Sequence, residues 1–102
     1  TVLIDEAYNE LTDRPDDNAM IDLVRAGEDV IVCRTFSKIY GMAGLRVGYA
    51  ITSEANAATI RAHLMSFGGI LAGVAAAIAS YNDTTFLNQS RAMVLEARGM
   101  IN

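Results

Sequence analysis

Two apolar, β-branched runs near the start of the chain constrain its fold most, because they predict a strand-helix-strand crossover. The runs are Thr1–Ile4 and Val30–Cys33, and Asp16 or Asp17 can cap a helix between them that reaches about Ala26. A crossover of this length places its two strands side by side and parallel. We therefore predict an α/β fold in which the polar residues at the carboxyl ends of both strands meet at one edge of the sheet.

A loop follows the second strand and leads directly into a third. The loop, Arg34–Arg46, contains Gly41 and Gly44, and the apolar run Val47–Ile51 follows it. Since no segment of helical length separates the second and third strands, we expect the third to pair antiparallel or to lie at an edge.

Helical patterns fill the rest of the chain. Gly27 fits the residue that ends the first helix, and Ser53 can cap a second helix that reaches about Met65. Ile70–Tyr81 is alanine-rich and nearly all apolar, so we expect a helix that is buried on most sides. The final helix is amphipathic and can be capped by Asp83 or Thr84; its expected apolar residues are Phe86, Met93 and Leu95, and its expected exposed residues are Arg91, Glu96 and Arg98.

Composition excludes several classes of protein. The 102 residues are 52% hydrophobic and 20% charged, which is typical of one folded domain at most. A net charge of −4 without a basic run gives no basis for binding nucleic acid. The single cysteine, Cys33, permits no internal disulfide, so we expect a reducing, cytoplasmic location. The longest apolar stretch is too short to span a membrane, and no signal peptide is expected.

The loop after the second strand carries groups that can bind an anionic ligand. Lys38 is a possible nucleophile, Arg46 can hold a phosphate with two hydrogen bonds, and Thr35 and Ser37 alternate so that both hydroxyls face one side. Asp5 ends the first strand at the same predicted edge. Taken singly, each residue also has an ordinary explanation: a surface lysine, a carboxylate that caps a turn, or hydroxyls that serve β structure.

Other polar residues carry less information. Tyr8 either packs in the core or places its hydroxyl near the same crevice. We expect Glu6 to be a solvated loop carboxylate. His63, for which the sequence offers no catalytic partner, is expected to be a surface or a satisfied polar residue. The glycines at 41, 44 and 48 do not form the G-x-G-x-x-G pattern of a dinucleotide site.

Three motifs together resemble a known family. They are Asp5-Glu6-Ala7-Tyr8, Thr35-Phe36-Ser37-Lys38, and Gly41-Met42-Ala43-Gly44-Leu45-Arg46-Val47-Gly48-Tyr49. In this order and spacing they resemble the class I and II pyridoxal-phosphate aminotransferases of fold type I, most closely the histidinol-phosphate aminotransferase branch. The resemblance covers the central two thirds of the chain well and the last third loosely.

The resemblance implies roles for six residues. Lys38 would form a Schiff base with pyridoxal 5′-phosphate, and Asp5 would pair with the pyridine nitrogen of the cofactor. Tyr8 would bond to the phenolic oxygen of the cofactor, and its phosphate would be held by Thr35, Ser37 and Arg46. The implied enzyme transfers an amino group between an amino acid, or an amine such as histidinol phosphate, and a 2-oxo acid. The implied enzyme is a homodimer. Its substrates are small molecules, and it has no nucleic-acid or membrane partner.

The resemblance also implies that this chain is part of a larger protein. Residues 1–102 correspond to part of the large, cofactor-binding domain, and the last helix leads toward a smaller C-terminal domain. The family's phosphate-binding glycine turn, ring-stacking residue and substrate-carboxylate arginine lie outside these residues. We therefore expect the 102 residues alone to be inactive.

Three other hypotheses remain open. Val2–Ala7 matches the Walker B pattern, in which Asp5 would serve Mg²⁺ in a P-loop nucleotidase, but no Walker A motif is present and the Thr35–Arg46 segment stays unexplained. A non-catalytic domain that keeps an aminotransferase-like scaffold would have no need of Lys38. A decarboxylase, lyase or acyl-transfer enzyme that uses the same cofactor is compatible with the motifs.

Overall fold

A three-stranded sheet forms the centre of the computed structural model, which describes residues 1–64 and 71–101. β1 (Val2–Asp5) pairs parallel with β2 (Val30–Thr35), and β2 pairs antiparallel with β3 (Gly48–Thr52). Both predicted pairings and the α/β fold are thereby confirmed. Asp5 lies opposite Cys33, so the ends of the two parallel strands are at one edge of the sheet, as expected.

The crossover contains two short helices instead of the single helix that the sequence predicts. They are α1 (Pro15–Asn18) and α2 (Ile21–Arg25). The backbone of Ala19 is extended, which ends α1. The N–H of Met20 donates to the Glu6 carboxylate at 2.6 Å, so a side chain distant in the sequence takes a donor that a continuous helix would use itself.

The helix ends of the crossover agree only partly with the prediction. Arg14 occupies the N-cap position of α1, so the expected caps Asp16 and Asp17 are wrong; both lie inside the first turn. Pro15 is the first helical residue, where its fixed φ favours a helix start and its missing N–H costs nothing. Gly27, with a φ of 83°, follows α2 in the left-handed conformation and is confirmed as the helix-ending residue.

The hydrophobic core is small and centres on β2. Its buried apolar residues come from β2, from the loop that follows and from the fourth helix: Val30, Val32, Phe36, Ile39 and Ala77. Val32 is completely buried because it lies in the middle strand of the sheet. Ser37 and Lys38 lie between Phe36 and Ile39 in the sequence. The two buried side chains anchor the loop to the core, and Lys38 between them is exposed.

Helix α3 (Glu54–His63) begins as predicted. The Ser53 hydroxyl accepts a hydrogen bond from the Asn56 N–H at 3.3 Å and caps the helix. The predicted helix end at Met65 lies outside the described residues. His63 is exposed, and its ring Nδ1 lies 2.8 Å from the Thr59 carbonyl oxygen.

Helix α4 (Leu71–Tyr81) is much less buried than its apolar sequence predicts. Gly73 and Ala77 are its buried residues, whereas Leu71 is 84% exposed and Ile78 is 70% exposed. The expectation of burial on most sides is therefore wrong for these residues: α4 approaches Leu45 and Val47 closely at Gly73, and most of its other residues are exposed. The predicted start at Ile70 lies outside the described residues.

Helix α5 (Thr84–Ile101) is capped by Asp83, whose carboxylate accepts from the Phe86 N–H at 2.9 Å. Its predicted faces are partly wrong. Phe86 is 41% exposed and Met93 is 64% exposed, whereas Arg91 is half-buried. The physical reason is that α5 packs against the loop after β1 through hydrogen bonds from Arg91, and not against the sheet through an apolar stripe.

Candidate functional site

Lys38 lies exposed on the loop after β2, next to an aromatic ring. Its Nζ is 4.8 Å from the centroid of the Tyr8 ring, which is within the range of a cation–π interaction. Lys38, Tyr8 and Ser37 share an open cleft of about 520 Å³, whose far wall is formed by apolar residues of α5, including Met93 and Val94. Lys38 is also the only lysine among the 102 residues.

Hydrogen bonds fix the loop that carries Lys38. The Thr35 hydroxyl accepts from the Ser37 N–H at 3.1 Å and donates to the Val47 carbonyl at 3.3 Å. The Gly41 N–H donates to the Lys38 carbonyl at 2.9 Å and closes a turn in which Gly41 has a φ of 68°. Lys38 therefore projects from a backbone that is held on both sides, which limits the positions its amine can reach.

Asp5 is the last residue of β1, and it is exposed to solvent. Its Oδ1 accepts from the Ala7 N–H at 3.0 Å, so the carboxylate also organises the turn toward Tyr8. Asp5 lines a second cleft, of about 440 Å³, and Tyr8 lines both this cleft and the one that contains Lys38. Tyr8 thus lies between Asp5 and Lys38, the two residues that are predicted to contact different parts of one ligand.

Arg46 has an unusual backbone. It follows the 3₁₀ helix Ala43–Leu45 with φ 53° and ψ 47°, a left-handed conformation that costs a non-glycine residue roughly 1–2 kcal/mol. Among the described residues it is the only non-glycine with positive φ. Such strain is concentrated at functional sites, which makes Arg46 a candidate binding residue.

The structure brings some predicted site residues together and separates others. Tyr8, Ser37 and Lys38 share a cleft, and Asp5 lines the neighbouring one. The side chain of Arg46 is exposed and donates from Nη1 to the Ala43 carbonyl at 2.8 Å; it does not line either cleft. The phosphate contacts of Thr35, Ser37 and Arg46 therefore stay predictions.

A buried ion pair that was not expected from the sequence borders the cleft of Asp5. Glu6 is 6% exposed, and its Oε2 accepts from Arg34 Nε at 2.8 Å; the expectation of a solvated Glu6 is wrong. Parallel pairing of Asp5 with Cys33 places the next residues, Glu6 and Arg34, beside each other. The register of the predicted crossover was the signal from which this pair could have been found.

The charged partners around Arg34 influence one another. Burial by itself lowers the pKa of Arg34, but hydrogen bonds and charge interactions with Glu6 and Tyr49 raise it above its usual value. Tyr49 lies opposite Arg34 on β3. Burial raises the pKa of Tyr49, and the nearby guanidinium only partly offsets this effect. Arg34 therefore stays cationic and Tyr49 neutral at physiological pH.

Neither a metal site nor a membrane-spanning helix is found in residues 1–64 and 71–101. No group of three or more His, Cys, Asp or Glu side chains there is arranged to hold a metal ion. None of the helices in those ranges has both the length and the apolar character needed to cross a membrane.

Comparisons with known proteins agree with the motifs. A family model described as aminotransferase class I and II matches residues 1–101. The histidinol-phosphate aminotransferase of Paramagnetospirillum magneticum is 41% identical over 85 residues, which are 83% of this chain and 23% of that protein. The protein of the same name from an Anaeromyxobacter species is 39% identical over 97 residues, 95% of this chain and 27% of that protein.

A solved structure is similar over nearly the whole chain. The crystal structure of histidinol-phosphate aminotransferase from Sinorhizobium meliloti in complex with pyridoxal-5′-phosphate superimposes with a TM-score of 0.87 at 36% identity, covering 97% of this chain and 27% of that one. The chain thus spans about a quarter of the length of the relatives it matches. Because the family model covers residues 1–101, the chain belongs to the class I and II aminotransferases.

Proposed function

We propose that this chain provides the cofactor-binding part of a pyridoxal-phosphate-dependent aminotransferase. The observation that carries the proposal is the exposed amine of Lys38 beside the Tyr8 ring, in an open cleft, within a chain of this family. The enzyme would transfer an amino group between an amino acid or a related amine and a 2-oxo acid. Histidinol phosphate is the amine suggested by the names of the relatives.

The groups present at the sheet edge fit pyridoxal phosphate. The cofactor has an aldehyde, a ring nitrogen, a phenolic oxygen and a phosphate, and when bound it supplies an aldehyde and an electron sink. Lys38 offers a primary amine for the aldehyde, Asp5 a carboxylate for the ring nitrogen, and Tyr8 a hydroxyl for the phenolic oxygen. Ser37 offers a hydroxyl for the phosphate, and Arg46 and Thr35 would join it by exchanging their bonds to the Ala43 and Val47 carbonyls.

Each of four residues of this chain would have a separate role in the reaction. Lys38 would bind the cofactor covalently and, once released, would move a proton as a general base. The negative charge of Asp5 would hold a proton at the ring nitrogen. Tyr8, which lines both clefts, would orient the cofactor. Arg46 would retain the phosphate while Lys38 is free.

The remaining expectations form part of the same proposal. Residues 1–102 would be part of the large domain, with α5 leading toward a smaller C-terminal domain, and the full-length protein would be a cytoplasmic homodimer. Its partners would be small molecules, and the 102 residues alone would be inactive. The family match favours this proposal over the P-loop alternative, in which Thr35–Arg46 has no role.

Because Lys38 is the only lysine of the chain, its modification can be tested by peptide mapping. The full-length protein would be incubated with pyridoxal phosphate, reduced with borohydride and digested with trypsin. Unmodified protein should be cut after Arg34, Lys38 and Arg46. Modified Lys38 should resist cleavage and yield one peptide of residues 35–46 that carries the cofactor.

Matched variants separate the proposal from its alternatives. Lys38→Arg keeps the charge but should lose the visible absorbance band and the modified peptide, whereas Tyr8→Phe keeps the ring and should retain both. Modification elsewhere in the full-length protein, with none at Lys38, would refute the proposal. A panel of amino donors and 2-oxo acids then tests the reaction: a band unchanged by every donor would support the scaffold hypothesis, and release of CO₂ would support a decarboxylase.

A further inference from the structure

The buried ion pair between Glu6 and Arg34 costs desolvation free energy, which a small hydrophobic core can offset only in part. The side chain of Glu6 is 5% exposed and that of Arg34 is 18% exposed, so both charges are largely removed from water. Replacing such a pair with apolar residues of similar volume is often neutral or even stabilising. Stability is therefore a weak explanation for the pair, and the better-supported role of buried polar pairs is to specify one arrangement among several.

The pair lies at the end of β1, where a change in strand register would alter the position of Asp5. Asp5 and Glu6 are adjacent carboxylates at the end of β1, and successive strand residues point to opposite faces. Both carboxylates line the same cleft, but Asp5 is exposed there whereas Glu6 is buried. A slip of β1 by one residue would exchange the faces of these two side chains. Within these 102 residues the apolar side chains of β1 oppose such a slip only weakly, because Val2 is 59% exposed and Leu3 is 65% exposed.

The contacts of Glu6 distinguish the two carboxylates. Glu6 accepts from Arg34 Nε at 2.8 Å and from the Met20 N–H at 2.6 Å, so both carboxylate oxygens have a partner inside the fold. Its own N–H donates to the Cys33 carbonyl at 2.9 Å, which continues the parallel ladder by one residue. The shorter side chain of Asp5 instead accepts from the Ala7 N–H at 3.0 Å.

We propose that Glu6 is a positioning residue: its buried pairing with Arg34 fixes the register of β1 against β2 and so the position of the Asp5 carboxylate relative to Lys38. The same pair joins the strand end that carries Asp5 to the strand end that precedes Lys38 by four residues. This role rests on the proposed function, because Asp5 needs a fixed position only if it contacts a ligand that Lys38 also binds.

The test uses the full-length protein and three variants. Glu6→Gln keeps the size of the side chain but removes the charge and replaces one of the two acceptor oxygens with an amide donor. The double variant Glu6→Leu with Arg34→Met replaces the pair with apolar side chains of similar size, which preserves packing without the ion pair. The control is Asp22→Asn, which removes one charge of the exposed ion pair between Asp22 and Arg25.

The first measurement is amide hydrogen exchange at Ala7 in the cofactor-free protein, which reports the Asp5–Ala7 hydrogen bond directly. We expect faster exchange in the double variant, an intermediate rate in Glu6→Gln and no change in the control. The second measurement is the dissociation constant of pyridoxal phosphate together with the pH dependence of its absorbance band. Outer-shell positioning partners typically change affinity or activity by about 10- to 100-fold, so we expect weaker binding of that order in the double variant.

The outcomes separate this inference from the proposed function. Unchanged Ala7 exchange in a folded double variant, or unchanged cofactor affinity and band titration, would overturn the positioning role. If the double variant does not fold, the same readouts on Glu6→Gln decide: a neutral side chain with one acceptor oxygen cannot keep the hydrogen bonds from both Arg34 and Met20, and this must disturb Asp5 if the inference is right. Failure of the wild-type protein to bind the cofactor would overturn the proposed function, whereas the exchange rates would still show whether Glu6 sets the register.

Discussion

Gly73 provides a quantitative test of how α4 packs against the candidate site. A Cβ atom at Gly73 would lie 2.7 Å from Val47 Cγ2 and 3.1 Å from the Leu45 carbonyl oxygen, which is too close without movement. Gly99, near the end of α5, is a matched control because, apart from its neighbours and the backbone of α5 itself, no described residue has an atom within 4 Å of its Cβ position. Comparing alanine at the two sites therefore isolates the close approach of α4 to the Leu45–Val47 segment.

The magnitude follows from two opposing effects. Replacing glycine by alanine in a helix stabilises it by roughly 0.5–1 kcal/mol, and this gain applies to both variants. Overpacking costs about 1–3 kcal/mol and applies only to Gly73→Ala. We expect Gly99→Ala to be stabilised by up to about 1 kcal/mol, and Gly73→Ala to range from nearly neutral to about 2 kcal/mol destabilised. The difference of about 1–3 kcal/mol is the overpacking cost alone.

Thermal unfolding of the full-length protein should rank Gly99→Ala above wild type and Gly73→Ala below Gly99→Ala. Because Arg46 lies between the two residues that the new methyl group would push, Gly73→Ala should also bind pyridoxal phosphate more weakly, while Gly99→Ala should not. Equal melting temperatures for the two variants would refute the contact between α4 and this segment.

Two further predictions concern the attachment of α5 to the loop after β1. Arg91 donates from Nη2 to the Thr12 carbonyl at 2.7 Å and is half-buried, so Arg91→Ala should cost about 1.5–3 kcal/mol, whereas Arg98→Ala, which removes an exposed pair, should cost at most about 1 kcal/mol in the same unfolding assay. Equal losses would contradict this difference. The hydrogen bond from Arg98 lowers the pKa of Asp13 below its ordinary value of 3.8, so the stabilisation is present above that pH and is lost as the pH falls through the lowered pKa. Unfolding measured from pH 7 to pH 2 should show wild type and Asp13→Asn converging in acid, and a constant gap would contradict the assignment.

Local sequence signals predicted much of the fold because they depend on short-range chemistry. Ser53 and Asp83 cap their helices through hydrogen bonds to residues three positions away, and Gly27 ends α2 by its own backbone freedom. The pairing of the strands followed from the length of the crossover. In the candidate site, the position of Asp5 and of the Lys38 loop at one edge of the sheet followed from the same crossover.

The missed features depend on contacts between residues distant in the sequence. Met20 starts a new helix because its N–H is bonded to Glu6, fourteen residues earlier. Glu6 is buried because it meets Arg34, 28 residues later. Arg91 is withdrawn from solvent by a carbonyl 79 residues away. None of these pairs can be recognised from local periodicity, although the Glu6–Arg34 pair follows once the register of β1 and β2 is known.

The position of β1 has a consequence for anyone who prepares these 102 residues by themselves. β1 is at the margin of the sheet, and in the described part of the chain no strand lies on its outer side. An open row of backbone donors and acceptors, flanked by exposed Val2 and Leu3, is a template on which a strand of another molecule can add. The isolated polypeptide should therefore aggregate as its concentration rises, and a charged residue at position 3 should delay this self-association without touching Lys38.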